Sequence, residues 1–474
     1  MDRRLLAAAV FAATIGATAL PSPSVSTSVE QGPVTALLPP SSPSTSTPLR
    51  PWPAAVLQHR VDPVEVAEEA VPRQRVGVSR AAAIVDPLFP LSRTFQLSSR
   101  PDAPVTIYLD FDGATVTGTY WNDKYRGGRT IRARAYADPS DRASSFSDLE
   151  RAQIQRIWAG VAAAYAPWDV DVTTATPPAS DLARSSAADT RYGTHVVITP
   201  RDVLDPSCRC ASGRAEMDLW SSTGVDNRYL SVAWVFSDYG WNVPDIIAAL
   251  AAHEVGHNFG LSHDGVEKNG FRQEYYDGSA PWSPIMGSPF AQPLHQWSDG
   301  RYRGATERED DRAMISRWAP PVPDDHVDRI GDLPIGSDGL PVADLSTGLL
   351  QRSARLDGLI GVSNRRDVDL VVLRVRQSGT YDLSVTPLGQ GSALDVGLGV
   401  LDAAGRVLTA AAPRTRRLDN VRAEGTDASL RLSLRAGVYV LRVRGTGEGR
   451  PALGGEAAYG SIGSYRLQVV RTGL

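Results

Sequence analysis

The spacing of apolar residues predicts alternating strands and helices between residues 104 and 318. Residues 105–109 are a run of β-branched and apolar side chains, which indicates a buried strand. Ser147 and Glu150 have the spacing of a capping box, and apolar residues follow them at helical intervals. Further strands are predicted at 170–173, 195–199 and 231–236. A strand, a helix and then several strands favour a mostly parallel, twisted sheet with a helix packed on it.

A second, long helix is predicted near residue 244, with Asn242 as its candidate N-cap. The apolar stripe that opens this helix continues onto His253, Glu254 and His257, so ionisable side chains occupy positions where a core face is expected. Burying two imidazoles and a carboxylate without partners is costly, and a bound metal ion removes that cost. The helix is therefore predicted to carry a metal site.

Zinc is the metal that these residue types favour. His253 and His257 are one helical turn apart on one side of the helix, so both ring nitrogens can reach one Zn²⁺ at about 2.0–2.1 Å. Gly260 can adopt a positive φ, end the helix and turn the chain so that His263 supplies a third ligand. Structural zinc sites usually have four protein ligands, whereas three histidines leave one position for water. The spacing predicts a catalytic zinc site with Glu254 as its general base.

The run from His253 to His263 resembles the metzincin zinc endopeptidases, whose HExxHxxGxxH pattern it matches without a gap. Met286 is similar to the family's Met-turn, a hydrophobic base beneath the zinc that is not a ligand. Asp264 follows the third histidine, as in the adamalysin or reprolysin branch. Ser288 stands where astacin-like and serralysin-like members carry a tyrosine, so that extra ligand is expected to be missing. The resemblance covers roughly residues 104–318.

This resemblance implies a secreted zinc endopeptidase of bacterial type that hydrolyses extracellular proteins or peptides. Zinc held by three neutral imidazoles lowers the pKa of water toward about 7, and Glu254 would pass the water's proton to the leaving amine. Residues 213–219 are implied to be the sheet edge that pairs with an extended substrate. The alternative is a secreted binding or adhesion protein with a catalytically silent metzincin domain. Glu254 discriminates between them, because silent relatives commonly lose the base or a ligand.

The first 103 residues consist of an export signal and a second segment. Residues 1–19 have a short positive start, a short apolar run and a small-residue cleavage site, as in a secretory signal peptide. Residues 20–103 begin with a Pro- and Ser-rich stretch that buries little, and they are either a pro-segment covering the site or a linker. No other run is long enough for a membrane span, so the expected localisation is extracellular.

The last third of the chain favours a different architecture. After a linker over 319–345, short strands with Gly or Asp turns predict an all-β, jelly-roll-like sandwich over 346–474. The Asp-x-Asp at 367–369 and the Gly- and Ser-containing stretch at 459–465 resemble the bacterial pre-peptidase C-terminal domain. That resemblance implies a module that binds matrix or cell-wall material or is clipped off. His326 is interpreted as a turn residue rather than a zinc ligand.

Composition narrows the partners. The chain of 474 residues has 49 Lys and Arg against 53 Asp and Glu, so no global basic field indicates nucleic acid as a partner. The expected oligomeric state is a monomer. Two cysteines, Cys208 and Cys210, rule out a disulfide framework or a cysteine-rich metal cluster. They can bond to each other, bond between chains or stay free, and export favours a Cys208–Cys210 bond. The sequence supports zinc as cofactor and leaves calcium open without supporting it.

Overall fold

The computed structural model describes residues 86–138, 145–207, 211–333, 345–346, 353–364, 366–389, 391–447 and 457–472. Three predictions concern residues outside these ranges: the signal peptide, most of the segment 20–103, and the Cys208–Cys210 bond.

The part of the chain up to residue 318 contains a mixed sheet and five helices among the described residues. The elements are, in chain order, β1 (Val105–Asp110), β2 (Thr115–Val116), α1 (Tyr120–Arg126), β3 (Ile131–Arg132), α2 (Asp148–Tyr165), β4 (Val170–Thr173), β5 (Tyr192–Thr199), β6 (Gly213–Arg214), α3 (Gly224–Leu230), β7 (Ala233–Phe236), α4 (Pro244–Asn258), β8 (Val266–Lys268), β9 (Phe271–Gln273), β10 (Trp282–Pro284), β11 (Leu294–Gln296) and α5 (Asp311–Trp318). None of the helices in the described residues is long and apolar enough to cross a membrane.

The main sheet has the strand order β4-β1-β5-β7-β6. The first four strands are parallel, and β6 runs antiparallel to β7 at the edge. All six residues of β1 are buried, as expected of a central parallel strand that is covered on both faces. The prediction of a mostly parallel sheet with a packed helix is confirmed.

Helix α2 begins with the predicted capping box. The backbone N–H of Glu150 donates to Ser147 Oγ at 3.2 Å, and the Ser147 N–H donates to Glu150 Oε2 at 2.9 Å. These two bonds satisfy donors that a helix N-terminus otherwise leaves unpaired.

Helix α4 is buried at every position except Asp245. A helix that is apolar nearly all round belongs in the middle of a fold, and α4 packs against α2, β5 and β7. The prediction of Asn242 as its N-cap is wrong: Val243 occupies that position without a side-chain bond. Asn242 instead has a φ of 55°, in the turn that leads the chain from β7 into the helix.

The cap of α5 also differs from the sequence pattern. The sequence pattern Thr306-Glu307-Arg308-Glu309 predicts a cap for this helix, but the structure places the cap at Asp310, whose Oδ1 accepts the N–H of Ala313 at 3.1 Å. Glu309 is used elsewhere, because its carboxylate accepts bonds from Ser262.

Packed structure begins upstream of the predicted boundary at residue 104. Leu97 is buried, and its N–H donates to Thr174 Oγ1 at 3.0 Å. Ser98 forms a bridge with Thr173 on β4. Residues 97–99 therefore extend the N-terminal part of the described fold along its outer parallel strand, β4.

The C-terminal part contains only strands and short 3-10 turns among its described residues. The strands are β12 (Leu345–Ser346), β13 (Ser353–Ile360), β14 (Val368–Val375), β15 (Gly379–Pro387), β16 (Val396–Asp402), β17 (Val407–Ala411), β18 (Arg416–Arg417), β19 (Ala423–Glu424), β20 (Ala428–Leu434), β21 (Gly437–Gly445) and β22 (Gly463–Arg471). Nine of them form sheets of order β12-β14-β21-β16-β17 and β13-β22-β15-β20, whose pairs are antiparallel except β12 with β14. Strands β18 and β19 form a separate antiparallel pair. Buried side chains of both sheets share one core, as in a β-sandwich.

Buried polar contacts join α5 to the sandwich. The Arg312 guanidinium donates to the carbonyl oxygens of Tyr459, Gly361 and Asn364 at 3.0–3.4 Å. The Tyr459 hydroxyl in turn donates to Asp310 Oδ1 at 2.6 Å. Because Arg312 is buried, these bonds supply partners that water does not provide. The sandwich is therefore packed on α5, the last helix of the part that contains the mixed sheet.

Candidate metal centre

Three buried imidazoles converge at the C-terminal end of α4. His253 and His257 lie on the helix, and His263 reaches them from the loop that follows. His257 Nε2 is 3.1 Å from His253 Nε2 and 3.0 Å from His263 Nε2. The structure thus brings together the three residues that the sequence proposed as ligands.

Each imidazole is held by its other ring nitrogen. A backbone carbonyl or a carboxylate accepts the Nδ1–H of each ring, which leaves the Nε2 lone pair pointing to the common centre. The acceptors are Ile285 O for His253 at 2.9 Å, Leu261 O for His257 at 2.8 Å and Glu274 Oε1 for His263 at 2.9 Å. This arrangement is the one that metal-ligating histidines normally show.

The donor set fits zinc. Burial lowers the pKa of His253, His257 and His263 to about 3, so all three rings are neutral at neutral pH. Neutral imidazole is the form that binds a metal. Tetrahedral Zn–N distances of about 2.0–2.1 Å place ligand nitrogens roughly 3.3 Å apart, close to the separations found here. Three lone pairs directed at one another are mutually repulsive without a cation between them.

A glycine turn brings the third histidine into place. Gly260 has a φ of 96°, and its N–H donates to His257 O at 2.8 Å. This left-handed conformation favours glycine, which ends α4 and reverses the chain. Ser262 is then tied to Glu309, through its hydroxyl at 2.7 Å and its N–H at 3.0 Å. The stretch that precedes His263 is therefore fixed at Gly260 and at Ser262.

Glu254 lies beside the centre with its carboxylate fully buried. Neither carboxylate oxygen has a hydrogen-bond partner among the described residues, and burial raises the pKa of this group well above its usual range. A Cβ added to Gly213 on the edge strand β6 would lie 2.2 Å from Glu254 Oε1. The absence of a side chain at position 213 lets the strand and the carboxylate approach this closely.

Met286 packs under the helix between the ligands. It is fully buried, and a Cβ on Gly256 would lie 2.5 Å from its sulfur. Its carbonyl accepts the N–H of Asp264 at 2.9 Å, which links this methionine to the loop after His263. Asp264 is itself buried, and the Tyr302 hydroxyl donates to it at 3.2 Å. Met286 therefore packs against α4 at Gly256, between His253 and His257.

Sequence reasoning missed two residues of the centre. Glu274 bonds His263, and the ring of Tyr275 lies 4.3 Å from the His263 ring, measured between centroids. Both follow the β8–β9 hairpin, whose return path decides where they lie. Ser288 is a backbone partner of Tyr276, at 3.0 Å, and is not grouped with the metal-binding side chains of the described residues.

Comparisons with known proteins give a weak, partial likeness. Neither a protein-family model nor a curated protein matches this chain. Among solved structures, it is similar to the pre-peptidase C-terminal domain of a Bacillus anthracis collagenase, with 15% identity, 26% of this chain and 91% of that chain covered, and a TM-score of 0.18. It is also similar to the Aeromonas hydrophila lysozyme inhibitor PliG, with 15% identity, coverage of 27% and 95%, and a TM-score of 0.16. The scores are too low to carry an argument about function.

Proposed function

We propose that this protein is a secreted, zinc-dependent endopeptidase of the metzincin type. One observation carries the proposal: three buried histidines direct their Nε2 atoms at one point, next to a buried carboxylate without a hydrogen-bond partner among the described residues. A purely structural zinc site would usually have four protein ligands and no such base. The loop between β10 and β11, which carries Met286, and the glycine turn at Gly260 support the same assignment.

The chain's own residues divide the chemistry between them. His253, His257 and His263 would hold zinc, which when bound polarises a carbonyl and lowers the pKa of water. Glu254 takes a proton from the attacking water at a carboxylate oxygen and returns it to the leaving nitrogen. The absence of a side chain at Gly213 leaves room for that oxygen. Burial of the site excludes bulk water and strengthens these electrostatic interactions.

The edge of the main sheet is the proposed substrate-binding element. Strand β6 is the last strand in the sheet order, so no further strand of the described residues pairs with its outer side. An extended peptide can add to such an edge through main-chain hydrogen bonds. Gly213 belongs to this strand and touches Glu254, so a peptide paired there would lie beside the base. The substrates proposed are therefore extended segments of extracellular proteins or peptides.

A digest of a peptide library by the full chain tests the proposal. Cleavage at internal bonds is expected, with loss of activity in a zinc chelator and recovery when zinc is restored. His263→Ala should lose both zinc and activity, since one of three ligands is gone. His195→Ala is the matched control, because His195 bonds Asp110 outside the centre and should keep both.

Three results would count against the proposal. Hydrolysis that persists unchanged in chelator would show that zinc is not used. Zinc retained by His263→Ala at parent affinity would remove the third ligand. If no peptide is cleaved by the zinc-loaded chain, the alternative of a secreted binding protein takes over.

A further inference from the structure

The third ligand of the proposed zinc site is held differently from the other two. The first two imidazoles donate their Nδ1–H to backbone carbonyls of buried residues, whereas the His263 ring donates to Glu274 Oε1 at 2.9 Å. The His263 side chain is 4% exposed, and that of Glu274 is 57% exposed. A charged, solvent-exposed side chain therefore supports the third ligand. It takes no part in the proposed hydrolysis itself.

A tight hairpin turn brings Glu274 to this position. Strands β8 and β9 are antiparallel, with Val266 opposite Gln273. The two residues between the strands, Asn269 and Gly270, have φ of 55° and 79°, and a type I′ turn requires positive φ at both of its central residues. Such a turn fixes the register of the two strands. The residue that follows β9 is therefore returned to the chain beside the third ligand.

Backbone contacts hold the chain on both sides of Glu274. After it, the Tyr276 N–H donates to the Asp264 carbonyl oxygen at 2.8 Å. Before it, the chain passes so close to Gly265 that a Cβ there would lie 2.6 Å from Gln273 O and 2.9 Å from Glu274 O. The side chain of Glu274 is exposed, but the backbone that carries it is fixed against the loop of the third ligand.

The ring of Tyr275 packs against the same imidazole. Its centroid lies 4.3 Å from that of the His263 ring and 6.2 Å from that of the His253 ring. The His263 ring is therefore restrained at its Nδ1 by Glu274 and along one side by Tyr275. Because its rotation is limited in this way, its Nε2 stays directed at His257 Nε2, 3.0 Å away.

We propose that Glu274 is a positioning residue of the zinc site, whose negative charge tightens the binding of zinc by His263 and slows its release. A carboxylate accepts the Nδ1–H in a stronger, charge-assisted hydrogen bond than a carbonyl does, and it makes the opposite ring nitrogen a better donor to a metal. Glu274 acts on the metal through His263 and is not itself among the converging ligands. This inference rests on the zinc site of the proposed function and does not depend on peptide hydrolysis.

Zinc binding by the full chain tests the role of the charge. The parent for these measurements is Glu254→Ala, which avoids self-digestion. Competition with a chelator of known affinity gives the dissociation constant for zinc, and excess chelator gives the rate of zinc release. Glu274→Ala should raise that dissociation constant by about 10–100-fold, as is typical when the outer partner of a ligand is lost, with a matching increase in the rate of release. Glu274→Gln keeps an acceptor oxygen without the charge and should raise it by a smaller factor.

A second measurement separates this role from a merely structural one. Co²⁺ in place of zinc gives visible absorption bands that depend on the geometry and donor strength of its ligands, and these bands should shift in Glu274→Ala. The Tm of the metal-free chain should be nearly the same in parent and variant, because the side chain removed is mostly exposed. Glu267→Ala is the matched control, since this exposed glutamate lies on β8 of the same hairpin and should keep the zinc affinity and the cobalt spectrum of the parent.

The proposal is overturned if Glu274→Ala binds and releases zinc as the parent does, or if Glu267→Ala weakens zinc binding equally. It is also overturned if Glu274→Gln matches the parent, because the hydrogen bond alone would then suffice without the charge. Should Glu274→Ala fail to fold, the isosteric Glu274→Gln decides by the same measurements. A parent that binds no zinc would contradict the zinc site as well, whereas a wild-type chain that binds zinc and cleaves no peptide would contradict the peptidase alone.

Discussion

Gly213→Ala should disable the proposed base without touching the metal ligands. The new Cβ would lie 2.2 Å from Glu254 Oε1 and 2.6 Å from its Cδ, where ordinary contacts are 3.4–4 Å. The three nearest atoms to that Cβ all belong to Glu254, so the carboxylate must move while the histidines need not. Alanine is otherwise tolerated, because Gly213 does not have a positive φ.

The size of the effect follows from the displacement. Restoring ordinary contact moves the carboxylate oxygen by more than about 1 Å, and misplacement of that order can cost about 10²-fold in rate. Complete loss of a general base typically costs about 10²–10⁴-fold. We therefore expect kcat/KM to fall by about 10²-fold, or about 2.7 kcal/mol of transition-state stabilisation.

The assay is peptide hydrolysis together with zinc content and Tm for each variant. Gly331→Ala is the matched control, since a Cβ there meets no atom within 4 Å. In a Glu254→Gln background the base is already absent. Adding Gly213→Ala should then lower kcat/KM by less than about threefold, because the two changes act on one group. The reasoning would be refuted if Gly213→Ala kept the zinc content and the kcat/KM of the parent. It would also be refuted if Gly213→Ala lowered kcat/KM by the same factor in the Glu254→Gln background as in the parent.

Glu216→Gln should weaken the pH dependence of stability. The Glu216 carboxyl has no hydrogen-bond partner among the described residues, and burial raises its pKa to about 8, so the folded state keeps a proton that the unfolded state releases. The contribution of Glu216 to the free energy of unfolding is thus fully present below pH 4.5 and is lost as pH rises through 8. Urea unfolding of the parent should show this loss as roughly 3–5 kcal/mol, and an equal loss in Glu216→Gln would exclude this cause. Arg312→Ala should lower stability by about 2–3 kcal/mol, because buried carbonyls of the sandwich lose their donor, while the exposed Arg317→Ala on the same helix should change it little. Equal Tm values for the two arginine variants would show that the contact is not stabilising.

Local patterns in the sequence were sufficient to predict which histidines come together at the end of α4. His253, Glu254 and His257 are placed by helical geometry alone, and Gly260 marks the turn that returns His263. The capping box of α2 is an equally local feature. Such features depend on neighbours within a few residues, so one sequence is enough to predict them.

Contacts between distant segments could not be predicted in this way. Gly213 meets Glu254 only because β6 packs on α4, and Glu274 reaches His263 only through the path of a hairpin. Strands of two residues such as β6 are too short to show a period. The Asp-x-Asp at 367–369 was visible in the sequence, but its closeness to Asp324 depends on the packing of the linker.

The most direct test of the central claim is peptide hydrolysis by Glu254→Ala at equal zinc content. The variant should bind about one zinc per chain, as the parent does, because Glu254 is not among the converging ligands. Its turnover should fall by at least the ~10²–10⁴-fold expected when a general base is removed. Hydrolysis by Glu254→Ala at the rate of the parent would contradict the account, because the activity would then belong to another site.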